Sequence, residues 1–102
     1  MRFGLVLVVF AVLAYSLDTN EEASLENFYT QLSGGSWTNS WDLNPIIDRC
    51  TWFGVVCNGA QTSVLSINLD GNNLQGFLPD LQLPNLQTLY VSTCYETRVL
   101  TT

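Results

Sequence analysis

The stretch VLSINLDGNNLQGFLPDLQLPNLQTLYVSTC, Val64 to Cys94, decides how this chain is expected to fold. Val64, Ile67, Leu69, Asn72 and Leu74 fall at relative positions 1, 4, 6, 9 and 11, and 22 residues later Leu86, Leu89, Val91 and Cys94 repeat the first four. A fixed period with apolar residues at matching positions marks a repeat whose units stack to bury a shared core. The fold class this predicts is an α/β solenoid with parallel strands, in which Ile67 and Leu69 of one coil pack on Leu89 and Val91 of the next. The residues between them then face outward. Ser66, Asn68 and Asp70 in the first coil, with Thr88, Tyr90 and Ser92 in the second, form the expected concave binding face. Asn72 follows the strand where a tight coil buries backbone groups, and its amide supplies both a donor and acceptors for them. Cys94 stands at the same position one unit on, where a packed free thiol is expected.

Between the two strands Leu74, Gly76, Leu78 and Pro79 form L-x-G-x-L-P. Together with the L-x-x-L-x-L-x-x-[NC]-x-L spacing, this resembles the repeat segment of plant-type leucine-rich-repeat proteins. Domain organisation follows from that: repeats over residues 64–94, one complete and one partial, and an irregular tail over 95–102.

The chain has 102 residues, enough for one small domain. Met1 and Arg2 precede an apolar run from Phe3 to Ala14, which closes on Ala14-Tyr15-Ser16. Such a run with small residues at its end reads as a signal peptide over Met1 to Ser16. Crossing a bilayer takes about 20 apolar residues, more than this run supplies, so no membrane insertion of the mature chain is expected. A secreted or extracellular location follows, in a redox setting that permits disulfides. Loss of Arg2 leaves Arg49 and Arg98 as the cations against nine acidic residues, with no Lys or His. That balance excludes nucleic acid as a partner, since phosphate binding draws on Lys and Arg.

Residues 18–32 are predicted to be a helix. Leu25, Phe28, Tyr29 and Leu32 recur at helical spacing, and Glu21, Glu22 and Glu26 favour its N-terminal end. Asp18 or Thr19 is placed to cap it, each with a Glu three residues on, and Gly34-Gly35 gives a stop. Phe28, Tyr29, Trp37 and Trp41 are read as core before they are read as a carbohydrate patch. The loop that follows, with Asn39, Ser40, Asn44 and Pro45 as turn formers, leads to Cys50-Thr51-Trp52-Phe53-Gly54-Val55-Val56-Cys57. With no His and only one further Cys to complete a metal site, Cys50 and Cys57 are read as a disulfide.

This block is similar to the N-terminal cap of plant-type leucine-rich-repeat proteins: a helix, a pair of tryptophans, then D-P-C-x-W-x-G-V-x-C before the first repeat. Trp37, Trp41, Asp48, Cys50, Trp52, Gly54, Val55 and Cys57 match it in order, and Arg49 stands where the family usually has Pro. The resemblance implies a cap over residues 17–63 that covers the open edge of the first coil. Receptor-like kinases, receptor-like proteins and polygalacturonase-inhibiting proteins carry such caps, which implies extracellular recognition of a protein or peptide ligand. About three coils are needed for a continuous core, so the pattern reads as a piece of something longer. The alternative is a purely structural cap or truncated gene product without binding of its own. A small glycan-active enzyme is more remote: of Asp42, Asp48, Asp70 and Asp80, no two are singled out by spacing as an acid and base. No catalytic residue, cofactor or metal site is expected. The secreted protein should begin at Leu17; N-terminal sequencing that finds Met1 retained would remove the basis for the secreted location.

Overall fold

Asp18 starts the helix. Its Oδ1 accepts hydrogen bonds from Asn20 N at 2.9 Å and Glu21 N at 3.3 Å, and α1 runs over Thr19–Gln31. Such a cap contributes about 1 kcal/mol. The computed structural model describes residues 17–101, so the signal-peptide stretch lies outside the described residues. Leu25, Phe28 and Leu32 form the buried stripe of α1, with Tyr29 half-buried beside it. Glu21 does not turn back to the cap backbone as a capping box would have it. Its Oε1 instead accepts from Val64 N at 2.8 Å, while Asp18 N donates to Thr62 O at 3.0 Å. The first turn of the helix is thereby fastened to the start of a strand far along the chain.

From Ser33 to Gly54 the chain holds its shape through side chains more than through regular structure. Trp37, Trp41 and Trp52 are all buried, and each indole N–H donates to a backbone carbonyl: Leu32 O at 2.8 Å, Phe53 O at 2.9 Å and Asp42 O at 2.9 Å. Trp41 stacks on Trp52 with centroids 4.5 Å apart, and Phe28 packs against Trp37 and Trp41. These aromatics are core. Arg49, buried in a short 3₁₀ turn over Arg49–Thr51, ties this loop to the helix. Its Nη2 lies 2.6 Å from Glu26 Oε2, its Nη1 donates to Ile47 O at 2.9 Å, and its guanidinium sits 5.2 Å from the Trp52 ring centroid. A proline at this position would offer none of these ties.

Cys50 and Cys57 are bonded, with Cα atoms 5.6 Å apart. The chain-entropy contribution of so short a loop is about 2.5 kcal/mol. The disulfide ends in β1 (Val55–Cys57), which pairs with β2 (Val64–Asn68); β3 (Thr88–Ser92) and β4 (Thr97–Thr101) complete a four-stranded sheet of order β1-β2-β3-β4. Gly54, at φ +80°, lets β1 approach this closely, because a Cβ there would collide with Asn68 O.

The sheet corrects the predicted fold class. β2 and β3 are parallel, in register Ser66 with Thr88, Ile67 with Leu89 and Asn68 with Tyr90, but β1 and β4 both run antiparallel to their neighbours. The result is a small mixed sheet with one helix and not an α/β solenoid. The cause lies in connection length. A parallel neighbour needs a crossover of a dozen or more residues, whereas a few residues suffice for an antiparallel one. Only the segment between β2 and β3 is long enough. After β3 the chain turns at once: Thr93 N donates to Glu96 O at 2.7 Å, and Thr93 Oγ1 accepts from Tyr95 N and Glu96 N. Residues 95–101, expected to be irregular, thus form the second half of a hairpin.

Ile67, Leu69, Leu89 and Val91 are buried against α1, Leu74 and Leu83. Cys94 departs from expectation. The turn into β4 leaves it exposed instead of packed in the position equivalent to Asn72. Among the described residues no helix is long and apolar enough to cross a membrane. Alkylation of the unreduced protein should label one thiol, Cys94, under native as well as denaturing conditions. Labelling of all three cysteines by mass spectrometry would contradict the Cys50–Cys57 bond.

Candidate functional site

Strand alternation sends Ile67, Leu69, Leu89 and Val91 inward, and this places Ser66, Asn68, Asp70, Thr88, Tyr90 and Ser92 together on the opposite face. The parallel register arranges them in rows. Ser66 lies beside Thr88, Asn68 beside Tyr90, and Ser92 Oγ donates to Asp70 Oδ1 at 2.8 Å. Asn68, Asp70 and Tyr90 are exposed, and Ser66, Thr88 and Ser92 are half-buried. Asn68 Oδ1 also accepts from Asp70 N at 3.3 Å, closing the turn at the end of β2. Part of the polar capacity of Asn68 and Asp70 is therefore spent within the chain, while Tyr90 presents its ring at the centre of the patch.

The outer strands widen this face beyond the six residues. The register puts Val56 beside Ser66 on one side, and Thr101, Val99 and Thr97 beside Thr88, Tyr90 and Ser92 on the other. Val56 and Val99 are exposed apolar side chains, at 56% and 59%. Sequence reasoning missed the β4 residues because it read the tail as irregular. The signal was present in Thr97-Arg98-Val99-Leu100-Thr101, whose β-branched residues alternate as a strand requires.

The turn that carries Asp70 is held from below by Asn72. This side chain is 1% exposed; its Oδ1 accepts from Asn39 N at 2.7 Å and its Nδ2 donates to Asn39 O at 3.0 Å. Thr38 N donates to Asn72 O at 3.2 Å, and Asn73 Nδ2 donates to Ser36 O at 3.0 Å. Asn72, expected to serve backbone groups buried by its own coil, instead serves those of Asn39, an exposed residue distant in sequence.

Other surfaces compare poorly. A cleft between α1 and residues 80–85 is lined by Asp18, Glu21, Ser24 and Thr62. Its polar groups serve the fold: Ser24 Oγ accepts from Gln82 N at 2.9 Å and Glu21 holds Val64 N. The aspartates weighed as an acid–base pair are dispersed over different roles. Asp42 and Asp48 accept from Asn44 N and Cys50 N in local turns, Asp80 lines the cleft, and Asp70 belongs to the sheet face. Phe77 and Tyr95, both exposed, stack on each other at 4.6 Å near the β3–β4 turn.

No family model matches the sequence. Among curated proteins the chain is similar to a putative leucine-rich repeat receptor-like serine/threonine-protein kinase of Arabidopsis thaliana, with 30% identity over 71 residues. The match covers 70% of this chain and 7% of that protein's length. The likeness is of leucine-rich-repeat type and extends no further.

Replacing Asn72 with Ala leaves the Asn39 N–H and C=O without their partner, which should cost about 1–3 kcal/mol of stability. Urea unfolding checks this, with Asn73→Ala, whose side chain is exposed, expected to cost less than about 1 kcal/mol.

Proposed function

We propose that this chain acts outside the cell as a recognition module related to receptor ectodomains, and that it takes a peptide or an extended protein segment on the outward face of its sheet. The observation that carries this reading is the row arrangement of Ser66, Asn68, Asp70, Thr88, Tyr90 and Ser92 across the parallel strand pair. The likeness to a receptor-like kinase and the disulfide support the extracellular setting. A tyrosine among small polar residues suits such binding, because it offers apolar area and a hydroxyl with few rotamers to freeze. The reading is non-catalytic. Among the six side chains Asp70 is the one carboxylate, and Ser92 already donates to it.

Size limits the affinity. Four strands about 4.8 Å apart, three of them five residues long and β1 three, offer a few hundred Å². A standard interface takes about 800 Å² from each partner, so binding by this chain alone falls in the weak, transient class.

The test is selection from a displayed library of random peptides on the immobilised chain, followed by titration of the selected peptides against variants. Tyr90→Ala and Asp70→Ala should weaken binding about tenfold or more while leaving the circular dichroism unchanged. Leu69→Ala removes a fully buried side chain and should cost about 2–5 kcal/mol, enough to unfold much of a small domain. Selected peptides that bind Tyr90→Ala as well as the parent would move the site elsewhere, and a selection that yields no binder would favour a purely structural role.

A further inference from the structure

Every residue of β4 is exposed, and among the described residues no strand lies beyond it. Which of its backbone groups are free follows from two hydrogen bonds. Leu69 N donates to Tyr90 O at 2.8 Å, so the backbone of Tyr90 turns toward β2 and that of Leu89 and Val91 turns toward β4. Thr93 N donates to Glu96 O at 2.7 Å, and the two-residue alternation of an antiparallel ladder then makes Val91 with Arg98, and Leu89 with Leu100, the hydrogen-bonded pairs. The N–H and C=O groups of Thr97, Val99 and Thr101 consequently point away from the sheet.

From this geometry we propose that two copies of the chain associate through β4, paired antiparallel about a two-fold axis at Val99. In that register Thr97 meets the partner's Thr101, Val99 meets the partner's Val99, and each such pair exchanges both backbone hydrogen bonds. Three features select a second copy as the occupant, and this register within it. All five residues of β4 pair, and the outward-pointing groups fall symmetrically about Val99. Arg98 lies opposite the partner's Leu100, whereas the next register in that direction sets Arg98 against Arg98, a like-charge pair that costs stability. The contact also extends on both faces. Exposed Val99 continues it on the outward side; Leu100, 39% exposed, continues it on the other, over an apolar groove lined by Leu81, Leu83, Leu86 and Leu89. Arg98 lines that groove with Asp80 and is paired with Glu96 at 3.2 Å, so the one cation of β4 lies at the contact and offsets part of the repulsion that the net charge of −6 would otherwise bring. This association uses the strand edge, and so stands apart from ligand binding on the sheet face.

Sedimentation equilibrium of the purified chain should show a reversible monomer–dimer equilibrium with a dissociation constant on the order of 10 µM, as suits a small interface. Amide exchange followed by NMR at high and low concentration then locates the contact. The amides of Thr97, Val99 and Thr101 should slow in the dimer, while those of Arg98 and Leu100, bonded to β3, should be protected in both states. Val99→Lys should weaken association at least tenfold, and so should Val99→Pro, which removes an outward-facing N–H and fixes φ at that residue, with the protection of Arg98 and Leu100 checking that β4 still pairs with β3; Tyr90→Ala should still dimerise. A chain that stays monomeric well above that concentration would overturn the proposal. So would a dimer in which Val99 exchanges as fast as in the monomer, a monomer whose β4 edge binds an unrelated extended peptide instead, or variants at Val99 that associate like the parent.

Discussion

The position of α1 over the sheet hangs on one buried carboxylate. Glu21, 3% exposed, accepts from the first N–H of β2 and so fixes the helix against the strand from which the rest of the sheet is laid out. Without it a buried backbone donor would stand unpaired, at a cost of about 1–3 kcal/mol. Arg49 secures the same helix further along through Glu26, and the indoles of Trp37, Trp41 and Trp52 close the loop between. A single-layer sheet needs one face covered. Here a helix and an aromatic loop do that, each held by polar ties between residues remote in sequence.

That remoteness explains what reading the chain alone recovers and what it misses. Strand alternation is a local property, so the inward set of Ile67, Leu69, Leu89 and Val91 follows from spacing, as does the helix; of the two residues placed to cap it, Asp18 and Thr19, the structure uses Asp18. The Cys50–Cys57 bond follows from counting cysteines. Spacing does not say how a strand's neighbour arrives. The period of 22 residues implied more parallel coils, whereas the four-residue turn after Ser92 reverses the chain and makes β4 antiparallel. Cys94 leaves the packed position that the spacing assigns it for the same reason: the turn carries it outward. Arg49 looked like a departure from a proline pattern, and its contacts with Glu26, Ile47 and Trp52 involve groups that no motif joins.

The sheet face owes its arrangement to register and little to its individual side chains. Ser66, Asn68 and Asp70 stand beside Thr88, Tyr90 and Ser92 because Ile67 and Leu89 are paired beneath them. Polar side chains on such a face can change without disturbing the core, which frees them to follow a ligand. The Asn72 turn sets the limit of that freedom, since it holds the end of β2 against residues 36–39.

The disulfide joins cysteines seven positions apart in the chain, whereas Cys94 lies about 40 residues from either partner. In an unfolded chain the chance of two ends meeting falls roughly as the 3/2 power of their separation, which favours Cys50 with Cys57 by roughly tenfold over any pairing with Cys94. Oxidation can therefore select the native bond by proximity, before β3 and β4 exist. The third thiol is a bystander to that choice and ends on the surface, at the turn between β3 and β4.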